Sequence, residues 1–126
     1  MASKFVIREI KEGFLFDLKA ANGEVILSSQ VYSSLATCKN GIESVRQNAP
    51  DAAVEDQTIE GFTEEKNPKF EIYVYKNGDY RFRLNAKNGQ VIGSGERYKS
   101  KTGCQNGIES IKKNSVDAVI VEEKNQ

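Results

Sequence analysis

The sequence predicts an α+β protein in which one β3-αβ unit occurs twice, and three observations support this. A shift of 66 residues superimposes 14–56 on 80–122 without a gap, and 19 of those 43 positions are identical. Such self-similarity reports a repeated supersecondary unit. Within each copy, apolar residues alternate first with period two, as on a half-buried strand, and later at the spacing of one helix face. The composition of the 126 residues, 38% hydrophobic and 29% charged, describes one soluble domain with its own core, neither disordered nor membrane-spanning.

In the second copy Phe70, Ile72 and Val74 alternate with Glu71, Tyr73 and Tyr75. After a turn at 76–79, Tyr80, Phe82, Leu84 and Ala86 alternate with Arg81, Arg83 and Asn85. Opposed residues of an antiparallel pair share a face, so the two apolar sets meet only across an odd loop. Three residues with glycine in the left-handed position satisfy this. Upstream of the first turn the shift becomes 65, which places Phe5 on Phe70 and Ile7 on Ile72. The first copy therefore needs an even loop, around Lys11-Glu12. Asn22-Gly23 and Asn88-Gly89 predict type I′ hairpins, whose central residues both take positive φ. Short third strands follow at 25–28 and 91–94; Val25, Ile26 and Leu27 are all apolar, so their buried face stays open.

Ser34 and Ser100 predict helix N-caps. Behind them Leu35, Cys38, Ile42 and Val45 recur at helical spacing, as do Cys104, Ile108 and Ile111, and the helices end at Asn48 and Asn114. Gly41 and Gly107 each cost a helix ~1 kcal/mol against alanine, which predicts close packing of helix on sheet. Fourth strands are expected at 52–56 and 118–122. The chain thus divides into repeats 4–56 and 69–122 within a single domain, 1–126, with a linker 57–68 that contains Gly61 and Pro68.

An aromatic strand, Ala-Ala/Lys-Asn-Gly, a Tyr-x-Ser turn, Asn-Gly-Ile-Glu-Ser and Asp-Ala recur in this order in both copies. This combination resembles the YegP-like family in its tandem-duplicated form, over 5–56 and 70–122. The resemblance implies two β3-αβ units in one antiparallel sheet, with the fourth strand of each exchanged into the other. Single-repeat relatives reach the same architecture as dimers. The family has no agreed activity, so the resemblance carries over no catalytic residue. The copies depart from each other at Pro50 against Val116 and at Leu27 against Gly93.

Composition excludes several function classes. The chain has no histidine, which removes the commonest general base and the commonest transition-metal ligand. With 18 basic and 18 acidic side chains the net charge is zero, unlike the basic excess of a dedicated nucleic-acid binder. Two cysteines without a CxxC pair make neither a disulfide framework nor a metal clip. Phe5-Val6-Ile7 is too short for a signal-peptide core, so the cytoplasm is the expected compartment and no membrane is involved. Residues 1–66 carry a charge of −4 and residues 67–126 carry +4. Opposite halves can therefore attract within one chain, or head to tail between chains. No cofactor, metal site or catalytic constellation is expected.

Cys38 and Cys104, on the apolar helix stripes, read as packing residues. Asn40, Ser44 and Asn48 beside Glu43, with Asn106, Ser110 and Asn114 beside Glu109, read as polar helix flanks and end caps. Asp51 and Asp117 read as turn carboxylates. With both helices on one face of the sheet, the other face carries Arg8, Ile10, Asp17, Lys19, Tyr73, Tyr75, Arg81 and Arg83. The sequence thus predicts a small non-enzymatic binding module, a monomer with an internal pseudo-two-fold and an unknown partner. Its candidate binding residues are Arg8, Tyr73, Tyr75, Arg81 and Arg83. Nucleic-acid or anion binding through the tyrosines and arginines is the second reading, and a small-molecule enzyme the third. Against these stand plain sheet covering by Tyr–Arg pairs and a weak homodimer interface.

Overall fold

The structure, a computed structural model, describes residues 2–123. The first repeat forms β1 (Lys4–Ile10), β2 (Gly13–Lys19), β3 (Val25–Ser28), α1 (Leu35–Asn48) and β4 (Ala53–Asp56). The second forms β5 (Lys69–Val74), β6 (Tyr80–Asn85), β7 (Val91–Ser94), α2 (Lys101–Asn114) and β8 (Val119–Glu123). All eight strands make one sheet in the order β4-β5-β6-β7-β3-β2-β1-β8. The first repeat's β4 lies against β5 of the second, and the second repeat's β8 lies against β1 of the first. These two outer pairs run parallel, whereas the sequence reading expected an antiparallel sheet throughout; the six strands between them are antiparallel. Adjacent parallel strands need a long crossover connection, because the chain must return along the strand's whole length. The linker 57–68 makes that return between β4 and β5.

The strand registers follow from the apolar alternation. Phe5 opposes Leu18 and Ile7 opposes Phe16 across the two-residue loop Lys11-Glu12. Phe70 opposes Leu84 and Ile72 opposes Phe82, and the loop Lys76-Asn77-Gly78 is closed by the Tyr75 N–H donating to the Asp79 carbonyl at 2.6 Å. Phe5–Phe16 and Phe70–Phe82 repeat the same edge-to-face contact, 5.8 Å between centroids and 74° between planes. These rings pack against Cys38, Ile42 and Val45 of α1 and Cys104, Ile108 and Ile111 of α2 in a single core. Both helices therefore cover one face of the sheet.

Two local expectations change. At Asn22-Gly23 and Asn88-Gly89 only the glycines take positive φ, 86° and 87°, so these are not type I′ turns. Gly23 N–H donates to the Ala20 carbonyl and Ala20 N–H to the Glu24 carbonyl, which is a three-residue loop. The register shift between Leu18 and Lys19, repeated between Leu84 and Asn85, accommodates the extra residue. Asn22 Oδ1 instead accepts from the Glu24 N–H at 2.9 Å. The helix glycines, in turn, admit a loop tyrosine. A Cβ on Gly41 would lie 2.3 Å from Tyr32 Oη, and one on Gly107 would lie 2.4 Å from Tyr98 Oη. Each tyrosine ring stacks on the strand phenylalanine below it, Phe16 or Phe82, at 6.2 Å.

Ser34 and Ser100 do cap the helices, accepting from the N–H groups of Thr37 and Gly103. Basic side chains then tie each helix to the other repeat's exchanged strand. Arg46 of α1 donates to the carbonyls of Val116 and Ala118, and Lys112 of α2 donates to that of Ala52. Lys39 pairs with Glu122 and Lys101 with Asp56.

The helix-free face as candidate binding surface

Strand alternation places the predicted site residues on the face opposite the helices, and the structure separates them into satisfied and unsatisfied groups. Arg8 pairs with Asp17 at 3.0 Å, and Asp17 also accepts from Ser28 Oγ at 2.7 Å. Arg8 lies on β1, apart from the other four candidates on β5 and β6. Arg83 stands 4.8 Å over the Tyr73 ring and pairs with Glu71 through Nε. Arg81 stands 4.9 Å over Tyr75 and donates through Nε and Nη2 to the Gly95 carbonyl at 3.2 and 3.0 Å.

Tyr75 has a second cation that the strand pattern did not reveal: the Arg97 guanidinium lies 5.8 Å from its centroid. Arg97 sits in the irregular stretch after β7, where no alternation signals a face. Tyr98 and Tyr80 exchange both backbone hydrogen bonds, at 2.8 and 2.7 Å, which extends the sheet pairing by one step. Tyr98 packs on the core, so Arg97 beside it turns to the opposite face. The identity of Tyr32 with Tyr98 was the available signal. Among the described residues, neither Arg81 nor Arg97 pairs with a carboxylate.

A second group on this face was also missed: a sealed charge network at the start of β5. Lys69 Nζ pairs with Glu55 at 2.8 Å and with Glu71 at 3.2 Å. Gln57 Nε2 donates to both carboxylates, and the Glu65 N–H donates to Glu55 Oε1 at 2.8 Å. Burial pushes the Glu55 carboxyl up, yet the hydrogen bonds from Lys69, Gln57 and Glu65 outweigh it and hold it at about 2. Glu71 is held low in the same way, chiefly by Arg83 against the effect of burial. The Glu55 hydrogen bond holds Lys69 above the ordinary lysine value. Carboxylates kept ionised beside an ammonium kept protonated offer no proton near neutral pH, so the network clamps the linker on the sheet. No sequence spacing links Glu55, Glu65 and Lys69; only the parallel β4–β5 pairing joins them.

The remaining candidates have plain roles. Cys38 and Cys104 are buried free thiols, and burial pushes both up to about 11, which removes the thiolate that reactivity needs. Asn48 Nδ2 donates to the Ser44 carbonyl and Asn114 Nδ2 to that of Ser110, both at 2.8 Å. Asp51 and Asp117 are exposed. Among the described residues no helix is long and apolar enough to cross a membrane.

Two β3-αβ repeats with exchanged fourth strands, carrying both helices on one face of the sheet and a partly charged surface on the other, define the class of this protein. The sequence model of the family described as Domain of unknown function (DUF1508) matches residues 11–56 and 76–122, once in each repeat, and the chain belongs to that family. It is 44% identical over 117 residues to the UPF0339 protein YegP of Yersinia pestis, covering 92% of this chain and 90% of the relative. A UPF0339 protein of Pseudomonas aeruginosa is 36% identical over 124 residues, 98% of this chain and 99% of that one. The solution NMR structure of YegP from E. coli, described as a protein of unknown function, superposes with a TM-score of 0.80 at 31% identity, covering 100% of this chain and 97% of that one. The structure of a UPF0339 protein from Shewanella oneidensis gives 0.78 at 32% identity, covering 97% and 92%.

Proposed function

We propose that this chain is a non-enzymatic, monomeric binding module of the cytoplasm, and that it engages an anionic group through the helix-free face. One observation carries the reading: the guanidiniums of Arg81 and Arg97 both stand against the Tyr75 ring, and neither cation has a carboxylate partner among the described residues. Arg81 is further oriented by the Gly95 carbonyl. A guanidinium fixed in this way keeps donors free in a planar fork that suits phosphate or carboxylate oxygens. Arg83 and Arg8 already have acidic partners, so the five-residue patch expected from the sequence narrows to Tyr75, Arg81 and Arg97. Nucleic acid is the second reading. Each of Tyr73 and Tyr75 already carries an arginine against its ring, which leaves less aromatic surface for base stacking and favours a plain anionic group.

The test is titration at low salt with inorganic phosphate and with a single-stranded oligonucleotide, followed by NMR. Wild-type shifts are expected around Tyr75. Arg81→Ala with Arg97→Ala is expected to abolish them at an unchanged melting temperature, while Arg83→Ala retains them. An oligonucleotide that binds far more tightly than phosphate, with a steep salt dependence, moves the assignment to nucleic acid. Wild-type protein that responds to neither probe refutes the anion site.

A further inference from the structure

The duplication provides an internal control for one more surface. Lys69, Glu71 and Glu55 of the sealed network, and Asn85 opposite Lys69 on β6, correspond in the other half of the sheet to Lys4, Val6, Val121 and Lys19. Where the network is present, Glu55 is 2% exposed and Lys69 is 7% exposed, because two carboxylates and the linker close over the lysine. In the other half both carboxylates are valines, a second lysine replaces the asparagine, and no described segment crosses the face. Val121 is 38% exposed. The result is a groove of about 560 Å³ with Val6, Ala20 and Val121 among its lining and Lys4 and Lys19 on neighbouring strands. Neither lysine pairs with a carboxylate among the described residues. Glu123 also lines the groove, at the register of Arg8, two residues along from Val121.

Beside the groove, β8 is the last strand of the sheet and is exposed over its whole length. Its apolar run Val119-Ile120-Val121 is paired with β1, and among the described residues no strand pairs with the backbone N–H and C=O groups of its outer edge. An unpaired edge of this kind is a template for another extended chain.

We propose that this groove binds an acidic peptide segment in extended conformation. Its backbone adds to the free edge of β8, and acidic side chains on its helix-free face reach over β8 towards Lys4 on β1 and Lys19 beyond it. The ligand supplies from outside the charge that Glu55 and Glu71 supply internally in the other repeat. The lysines select acidic side chains, Val121 and Val6 accept apolar ones two residues along on the same face, and the strand edge requires a peptide rather than a small anion. This site is separate from the Tyr75 patch and does not depend on it.

The test uses the full chain and a blocked hexapeptide, Glu-Ser-Val-Ser-Glu-Ser, which puts glutamate and valine on the same face of an extended strand, with affinity from calorimetry and the contact surface from amide shifts. Binding is expected with shifts along Val119–Glu123. Replacing the peptide's glutamates by glutamine, or the protein's Lys4→Gln with Lys19→Gln, is expected to weaken binding about ten-fold or more, close to 1.4 kcal/mol. Lys4→Glu with Lys19→Glu is expected to weaken it further, with unchanged melting temperature in both variants. Arg81→Ala with Arg97→Ala is expected to bind the peptide as wild type does, which keeps failure of the two sites distinguishable. No binding by the wild type, or equal binding of the glutamine peptide, overturns the proposal. Glutarate binding as tightly as the peptide overturns it in favour of a small-carboxylate site.

Discussion

Leu27 and Gly93 occupy equivalent positions in the two repeats, and they meet where the repeats join. Ser28 opposes Ser94 in the pairing of β3 with β7, so the residues just before these serines lie on either side of the junction. A Cβ on Gly93 would lie 2.8 Å from Leu27 Cγ, and Leu27 is fully buried. One leucine fills a space that two would overfill, and the asymmetry of the sequence here is a packing necessity. Gly93→Ala is therefore expected to destabilise by ~1–3 kcal/mol through overpacking. In a Leu27→Ala background, which itself costs ~2–5 kcal/mol, the same change is expected to be nearly neutral. A double-mutant cycle by urea denaturation measures the coupling; additive costs would show that the two positions do not compete for the space.

At the level of elements, the linker 57–68 has a structural part beyond connecting the repeats. It carries the chain back between parallel strands, and the Glu65 N–H anchors it to Glu55. This anchoring gives stability a defined acid dependence. Glu55 is held at about 2 against an ordinary value of 4.5, so the folded state favours the ionised form. Its contribution is complete above pH ~4.5 and is lost as the pH falls towards ~2; Glu71, also held low, acts in the same direction. The melting temperature is expected to fall steeply across this window. Glu55→Gln should lower stability at neutral pH and flatten the fall below pH ~4.5. A variant whose acid profile parallels the wild type would rule out Glu55 as the group responsible.

The exchange of fourth strands makes the whole molecule interdependent. β4 completes the second repeat's half of the sheet and β8 completes the first, while Arg46 and Lys112 fasten each helix to the other repeat. A single repeat exposes a strand edge and an apolar face with no partner. Residues 1–66 or 67–126 expressed alone are expected to dimerise or to remain unfolded, as read by light scattering and circular dichroism. A well-folded monomeric half at micromolar concentration would show that the repeats are independent. The −4 and +4 charges of the two halves add a weak attraction, whose effect should decrease with salt.

The sequence by itself determined the elements, their order and the buried face of most strands. Each of these is a local property: Phe70, Ile72 and Phe82 announce their face by alternation, Ser34 and Ser100 announce caps, and one copy checks the other. It also placed Tyr73, Tyr75, Arg81 and Arg83 on one surface, because strand register follows from parity. Tertiary structure alone decided the rest. Alternation cannot tell a parallel edge from an antiparallel one, so the crossover of 57–68 and the Glu55–Lys69 network it covers had no local signature. Nor could it reach Arg97, whose orientation depends on one backbone pairing between Tyr80 and Tyr98 in an irregular stretch. The partners of a charge are set by what the fold brings near it across long separations in sequence, and for that reason the same strand pattern leaves Lys69 sealed in one repeat and Lys4 open in the other.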